Sequence, residues 1–320
     1  MLGAIVGCGM IAGGYDEGPV SDYVRTHAGA MTGRGIRIGA CVEPDGERRS
    51  HFMARWAVSR GYETLEGMLA DGESFDLVSI CTPTERHAAD LSALLPAPVR
   101  AVFAEKPVAG DVGGTRRIVE AYRRAGRPLA VNYSRRWSAD LIVLGRDIAD
   151  GKFGAVTGAT AWYGKGIVHN GSHMLDLFRM LLGELQPVSA DRLINDGRDD
   201  DPTVDALLRT SAGVPVRLIG TDYRQYDVFE LQLRFTDAIV TLEEGGARLR
   251  IRPIENNKHF SGHRRPGHGG WRDITPRDGM LRAIDNIRAH LERGEPLASD
   301  GASALQAHEL AAALVAMARA

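Results

Sequence analysis

Short apolar runs alternate with longer segments of helical period along the first 133 residues. Runs at 2–7, 36–42, 76–81, 100–104 and 128–133 have the length of strands, and stretches near 22–33, 46–60, 85–95 and 113–126 read as helices. Two strand runs, Gly3 to Gly7 and Leu77 to Cys81, are apolar on both faces, as parallel strands covered by helices on each side must be. The alternation predicts a doubly wound parallel sheet. Beyond Trp137 the pattern changes. A helical stretch (138–151), a strand (155–163) and a second helix (171–183) precede β-rich runs at 203–211, 214–222, 226–236, 238–243 and 247–253. Short turns at Ala212-Gly213 and Glu244-Gly245-Gly246 predict an antiparallel meander. Residues 255–276 read as a polar loop, and helices at 277–293 and 301–319 close the chain.

Composition narrows the class. The chain has 320 residues, 44% of them apolar and 25% charged, which suits two globular domains and excludes a disordered or fibrous chain. A net charge of −2 leaves no basic surplus for a nucleic acid. No apolar run approaches the roughly 20 residues of a membrane helix; the longest, Leu310 to Ala318, is half that. A strand-like segment follows Met1 directly, so no removable signal peptide is expected. Cys8, Cys41 and Cys81 each end an apolar run and lack metal spacing, which predicts buried thiols in a reducing, cytoplasmic setting. Of the 39 basic residues, only Lys106, Lys152, Lys165 and Lys258 are lysines. A surviving lysine offers a compact charge of tunable pKa that arginine cannot.

Eleven of the 38 glycines fall within the first 46 positions, about twice an even share, so the N-terminus requires backbone freedom. Gly7-Cys8-Gly9-Met10-Ile11-Ala12 is a G-x-G-x-x-A fingerprint directly after the first strand run. Its glycines permit a tight turn and close approach of a pyrophosphate, and Ala12 lets helix and strand pack. Glu43 ends the second strand run, where a carboxylate accepts ribose hydroxyls and favours NAD. Arg48 and Arg49 lie close enough in sequence to leave NADP open. Glu43 follows Ala12 by 31 residues instead of about 20. The excess maps to an insertion at 13–24, read as either a surface loop or an active-site lid.

Further motifs follow later strands: Cys81-Thr82-Pro83-Thr84-Glu85-Arg86-His87 and Glu105-Lys106-Pro107. In the second half comes His169-Asn170-Gly171-Ser172-His173-Met174-Leu175-Asp176. With the fingerprint, this ordered set resembles the glucose–fructose oxidoreductase/inositol dehydrogenase (Gfo/Idh/MocA) family along essentially the whole chain. The resemblance implies an α/β protein of two domains. Residues 1–133 would form a dinucleotide-binding Rossmann domain. Residues 134–320 would form an α+β domain with a mainly antiparallel open sheet, for substrate binding and oligomerisation, its C-terminal helices free to pack back on the first domain. It further implies a dimer or tetramer and nicotinamide-dependent chemistry on sugars, cyclitols or nucleotide sugars. Thr82, Pro83, His87, Glu105 and Lys106 join Gly7, Gly9, Met10, Ile11, Ala12 and Glu43 as expected cofactor contacts. Lys106 is placed beside substrate and nicotinamide, with a Lys-Pro bond commonly cis in the family.

Chemistry divides the catalytic roles. A hydride leaves an alcohol carbon only as the hydroxyl proton is removed. Free lysine, with a pKa of about 10.4, is protonated at neutral pH, whereas histidine at about 6.5 is mostly neutral. His173 is therefore the expected general base, oriented by Asp176 three residues along the same helix face, and Lys106 the group that steadies the substrate oxygen. Lys165, His169 and Asn170 are expected substrate contacts; Arg135 and Arg136 are further candidates. The family pattern D-x-G-x-H-x-x-D has its first Asp replaced by His169. Spacing gives no metal site. The 255–276 segment, rich in Lys258, Arg264, Arg265 and Arg272, suits either an anionic substrate group or a surface loop. Alternative readings are a reductase of a non-sugar C=O or C=N bond and a non-catalytic dinucleotide-binding regulator.

Overall fold

A computed structural model describes residues 1–17, 23–197, 200–274 and 278–320. The chain divides into two compact units, Met1–Trp137 with Arg277–Gln306, and Ser138–Pro276 with Ala307–Ala320. In the first, β1 (Leu2–Val6), α1 (His27–Gly33), β2 (Arg37–Val42), α2 (Gly46–Trp56), β3 (Arg60–Tyr62), α3 (Leu65–Ala70), β4 (Phe75–Ile80), α4 (Thr84–Leu94), β5 (Val99–Ala104), α5 (Val112–Arg124) and β6 (Leu129–Val131) follow in order. The six strands are all parallel, in the order β3-β2-β1-β4-β5-β6. Strand addition reverses between β1 and β4, so a crevice opens at the carboxyl ends of those strands. Side-chain caps start four helices: Thr26, Asp45, Thr64 and Asp111 each accept an N–H three residues on. β3 and α3 escape the apolar pattern because Arg60-Gly61-Tyr62 is half-buried and has no aliphatic run. The first helix begins at His27, later than the expected 22.

The second unit contains α6 (Ala139–Ala149), β7 (Val156–Tyr163), α7 (Ser172–Leu182), β8 (Leu185–Ile194), β9 (Thr203–Thr210), β10 (Pro215–Gly220), β11 (Phe229–Phe235), β12 (Ala238–Glu243), β13 (Arg248–Asn256), β14 (Arg264–Pro266) and β15 (Trp271–Asp273). They form a sheet in the order β14-β13-β12-β11-β7-β10-β9-β8, with β15 beside β13. Among the described strands, β7 and β10 pair in parallel and every other pair is antiparallel. The expected meander is therefore broken: β7 inserts between the sequence neighbours β10 and β11. Its buried Ala159, Ala161 and Tyr163 share one core with Leu175 and Phe178 of α7 and Leu231 and Leu233 of β11. Central placement is where those side chains leave water most completely.

The 255–276 segment is not the loop its polarity suggests. It contains the end of β13 and both β14 and β15, and its guanidinium groups have acidic partners in the same unit. Arg264 pairs with Asp237 (2.7 Å), Arg265 with Glu255 (2.9 Å) and Arg272 with Asp140 (2.6 Å). Residues 275–276 lie outside the described residues.

α8 (Gly279–Arg293) belongs to the first unit, and α9 (Gly301–Arg319) passes from the first unit into the second. The boundary falls after Trp137 instead of residue 133. The reason is packing: the Trp137 ring stands edge-on to Phe103, and its Nε1–H donates to Asn286 of α8 at 3.0 Å. Met280, Ala283, Ile284 and Ile287 of α8 complete that core.

Candidate functional site

The turn after β1 shows why its residues are what they are. Gly7 has φ +86°, and a Cβ there would stand 2.8 Å from the backbone of Cys81 and Thr82. Only glycine lets β1 and β4 deliver their ends so close together. Gly9 has no neighbouring atom within 4 Å of where its Cβ would be, and Ala12 is fully buried. Met10 is 54% exposed. The Glu43 side chain reaches back to this turn and accepts the Cys8 N–H (3.0 Å), the Asp45 N–H (3.2 Å) and an Arg48 N–H (3.3 Å). It is almost fully buried, yet it helps line a cavity of about 530 Å³ with Gly7, Arg48, Thr82, Pro83 and Arg86. That volume is in the range of cofactor sites. A glycine open on one side, a carboxylate at the end of β2 and a crevice at the strand reversal fit a dinucleotide.

The extra residues before Glu43 have a definite geometry. His27 N–H donates to Ile11 O (3.2 Å) and Ala28 N–H to Ala12 O (2.8 Å). Each pair is sixteen residues apart, where a regular helix joins residues four apart. Twelve residues are looped out of the first helical turn, and the helix resumes in register. Asp16 closes the excursion by accepting the Arg25 N–H (3.1 Å), the Thr26 N–H (3.0 Å) and the Thr26 hydroxyl (2.5 Å). Gly18 to Asp22, inside the expected 13–24 insertion, lie outside the described residues.

The turns after β4 and β5 are tied together by His87. Its ring is 1% exposed, with Nδ1 2.6 Å from Pro107 O and Nε2 2.8 Å from Thr82 O. It therefore braces two turns, so the link of His87 to the expected cofactor site runs through the Thr82 and Pro107 backbone. Thr82 donates its hydroxyl to Asp90 (2.8 Å). Glu105 also turns inward. One carboxylate oxygen accepts from His27 Nε2 (3.0 Å) and Asn132 Nδ2 (2.6 Å), so Glu105 too braces the turn it stands on. Burial pushes its carboxyl up, but the hydrogen bonds and electrostatic pull of His27, with Asn132 and Lys106, prevail and hold it below the usual range. Lys106 is half-buried at the end of β5, and the Lys106–Pro107 peptide is cis. Cys8, Cys41 and Cys81 are free and buried.

In the second unit, β7 leads through Gly164-Lys165-Gly166 into one wide turn, Ile167–Gly171, in which Gly171 N–H reaches Gly166 O five residues back (3.0 Å). Such turns recur at functional sites. The turn is held by residues that no motif flags. Asp201 accepts the Val168 N–H (2.8 Å) and the His169 N–H (2.7 Å), and Asp196 accepts the Lys165 N–H (2.5 Å) and the Thr203 hydroxyl (2.9 Å). Gly166 and Gly171 are required: a Cβ at the first would meet the Asp201 carboxylate, and one at the second would stand 2.6 Å from the Tyr163 ring. Lys165 has φ +69° and its ammonium lies 4.7 Å from the centre of the Tyr223 ring. Asn170 donates its amide to Gly164 O (3.0 Å), closing the turn upon itself. His173 is half-buried on α7, three residues before Asp176. Asp176 is buried 3.8 Å from Arg179, which also grips Glu184. Although His169 replaces the family Asp, a carboxylate does stand at this turn, supplied by Asp201. Among the described residues no cluster has the makings of a metal site, and no helix is long and apolar enough to cross a membrane.

Comparison with known proteins agrees with this geometry. A family model described as an oxidoreductase family with an NAD-binding Rossmann fold matches residues 2–133. D-apiose dehydrogenase of Paraburkholderia graminis is 25% identical over 78% of this chain and 67% of its own length. Inositol 2-dehydrogenase of Rhizobium meliloti is 27% identical over 75% of this chain and 77% of its own. The WlbA dehydrogenase of Bordetella pertussis, solved with NADH and UDP-GlcNAcA, superposes with a TM-score of 0.78 at 22% identity, covering 99% of this chain and 96% of that one. That likeness concerns the fold.

Proposed function

We propose, from the match of residues 2–133 to the Gfo/Idh/MocA oxidoreductase model with its NAD-binding Rossmann fold, that the chain oxidises a secondary alcohol of a neutral polyol, a sugar or cyclitol, or reduces the corresponding ketone. The oxidoreductase family model and relatives named as dehydrogenases support a nicotinamide-dependent dehydrogenase of CH–OH groups; the substrate class is our reading. The observation that carries it is Lys106, half-buried at the carboxyl end of β5 and preceded by an inward-turned carboxylate. The dinucleotide, when bound, supplies the hydride acceptor or donor. In the oxidative direction, His173 takes the hydroxyl proton as the carbon gives up its hydride, and Asp176 orients the imidazole. Lys106 steadies the oxygen, on which negative charge develops. Lys165, His169 and Asn170 sort the remaining hydroxyls. Glu43 directs preference to NAD, with Arg48 keeping NADP within reach. The sheet face opposite the helices carries Arg217, Gln232 and Arg234 and provides for a homo-oligomer.

A neutral substrate is preferred to a nucleotide sugar because the arginines of 255–276 that suit a diphosphate are already ion-paired within their own unit. The relatives act, by their names, on D-apiose and inositol. The test is a panel of pentoses, hexoses, cyclitols and UDP-sugars assayed at the nicotinamide absorbance with NAD and NADP. Turnover confined to UDP-sugars overturns the neutral-polyol reading. Cofactor binding without turnover of any member favours the non-catalytic regulator, and reduction confined to non-sugar C=O or C=N compounds favours the other alternative.

A further inference from the structure

Behind Lys106 lies a buried polar chain that the roles above do not use. Ser79 of β4 and His27 at the start of α1 are both 0% exposed, and Ser79 Oγ stands 3.0 Å from His27 Nδ1. His27 Nε2 stands 3.0 Å from Glu105, which also takes the Asn132 amide. A carboxylate only accepts, so Nε2 carries the donated proton, and the Ser79 hydroxyl can serve Nδ1 as donor or acceptor. The ring also packs on Phe103 of β5, with centroids 4.5 Å apart. His27 occupies this place because the twelve-residue excursion returns in register and Thr26, tied to Asp16, caps the helix there.

Nothing structural obliges a fold to bury an acid, a histidine and a serine together. Taking a carboxylate out of water costs several kcal/mol unless it is paired. Here the arrangement ends one residue before the lysine assigned to the substrate oxygen. We propose that His27 is a positioning residue for Lys106: held by Ser79, it keeps the Glu105 carboxylate in place, and Glu105 in turn fixes the attitude and charge of the Lys106 ammonium.

Four groups among the described residues act on Glu105 or respond to it. They are His27 from α1, Asn132 after β6, its neighbour Lys106, and the Cys81 thiol after β4, which burial and the Glu105 charge push well up. Without His27, the Glu105 carboxylate loses one of the two donors that hold it, its negative charge is no longer fixed beside Lys106, and the ammonium gives up its proton more readily.

The inference rests on the proposed role of Lys106, but its test does not need the substrate. With four lysines in the chain, modification by an amine-specific acylating reagent, followed site by site by mass spectrometry over a pH series, reads Lys106 separately. Expected for His27→Leu and Glu105→Gln is a Lys106 midpoint lower by about one pH unit, hence about tenfold faster labelling on the acid side. Lys152, Lys165 and Lys258 serve as controls and stay at wild-type rates. His27→Gln, whose amide still reaches Glu105, stays near wild type, and Ser79→Ala, the mildest change, gives a smaller shift of the same sign. NADH binding and circular dichroism verify that each variant is folded. An unchanged Lys106 midpoint in His27→Leu overturns the proposal, as does a shift in Glu105→Gln that no change at His27 or Ser79 reproduces. Absence of polyol turnover in the wild type would instead count against the functional reading, leaving the labelling result to stand by itself.

Discussion

The turn after β1 and the turn after β7 both start at a strand end and lead into a helix, yet they are held in different ways. The first combines a short motif, Gly7, Gly9 and Ala12, with one distant carboxylate: Glu43, 35 residues from Cys8, arrives from the neighbouring strand of a parallel sheet whose register sets its position. The second depends on carboxylates more than thirty residues away, Asp196 and Asp201, which hold the N–H groups of Lys165, Val168 and His169. A parallel sheet delivers its strand ends to one edge automatically. A wide helical turn has no such frame, and its unpaired N–H groups need an external acceptor. The first turn is therefore recognisable from a short motif, whereas the second relies on positions outside any motif.

The comparison can be broken at several points. His173→Ala should lower turnover at least about 10²-fold, with NADH affinity preserved because the first turn is untouched. Steady-state rates and a fluorescence titration check both, and near-normal turnover would remove His173 from the mechanism. Asp201→Ala strips two N–H groups of their acceptor, and should cost about 2–3 kcal/mol in urea denaturation while lowering turnover; an unchanged midpoint would mean that the turn stands without it. Gly7→Ala should weaken NADH at least about tenfold, since its Cβ can be accommodated only by moving Cys81 and Thr82 at an already unfavourable φ. The smallest effect concerns pH. A carboxyl held below its unfolded value stabilises the fold above that value, about 4.3 for Glu, and loses its contribution as pH falls through the folded one. Wild type should therefore exceed Glu105→Gln in stability near pH 7, with the gap closing below about pH 4. A constant gap from pH 7 to pH 3 would show that the Glu105 charge is not what stabilises.

Much of the first unit is legible because its strands are fully apolar and its turns carry glycine, proline and capping residues at characteristic offsets. Even the insertion can be sized from the distance between Ala12 and Glu43. His87 and Glu105 show where legibility stops. Their motif marks them as cofactor residues, but each side chain turns inward to brace the turns beside Lys106. Motif membership reports that a residue matters; it does not report which way its side chain points. The Arg-rich 255–276 segment fails in the same way, since its charge is visible in sequence and its ion-pair partners are not.

By itself the sequence determined what depends on local chemistry: the alternation of strand and helix, the glycine turn after β1, the lysine after β5 and the histidine helix of the second half. Tertiary structure alone decided what depends on distant partners. It set β7 at the centre of its sheet, capped the His169 turn with Asp201, and joined Ser79, His27 and Glu105 behind Lys106. The division has one physical cause. Periodicity and turn chemistry act between residues near in sequence, whereas a buried polar group must find its partner wherever the fold brings one within hydrogen-bonding distance.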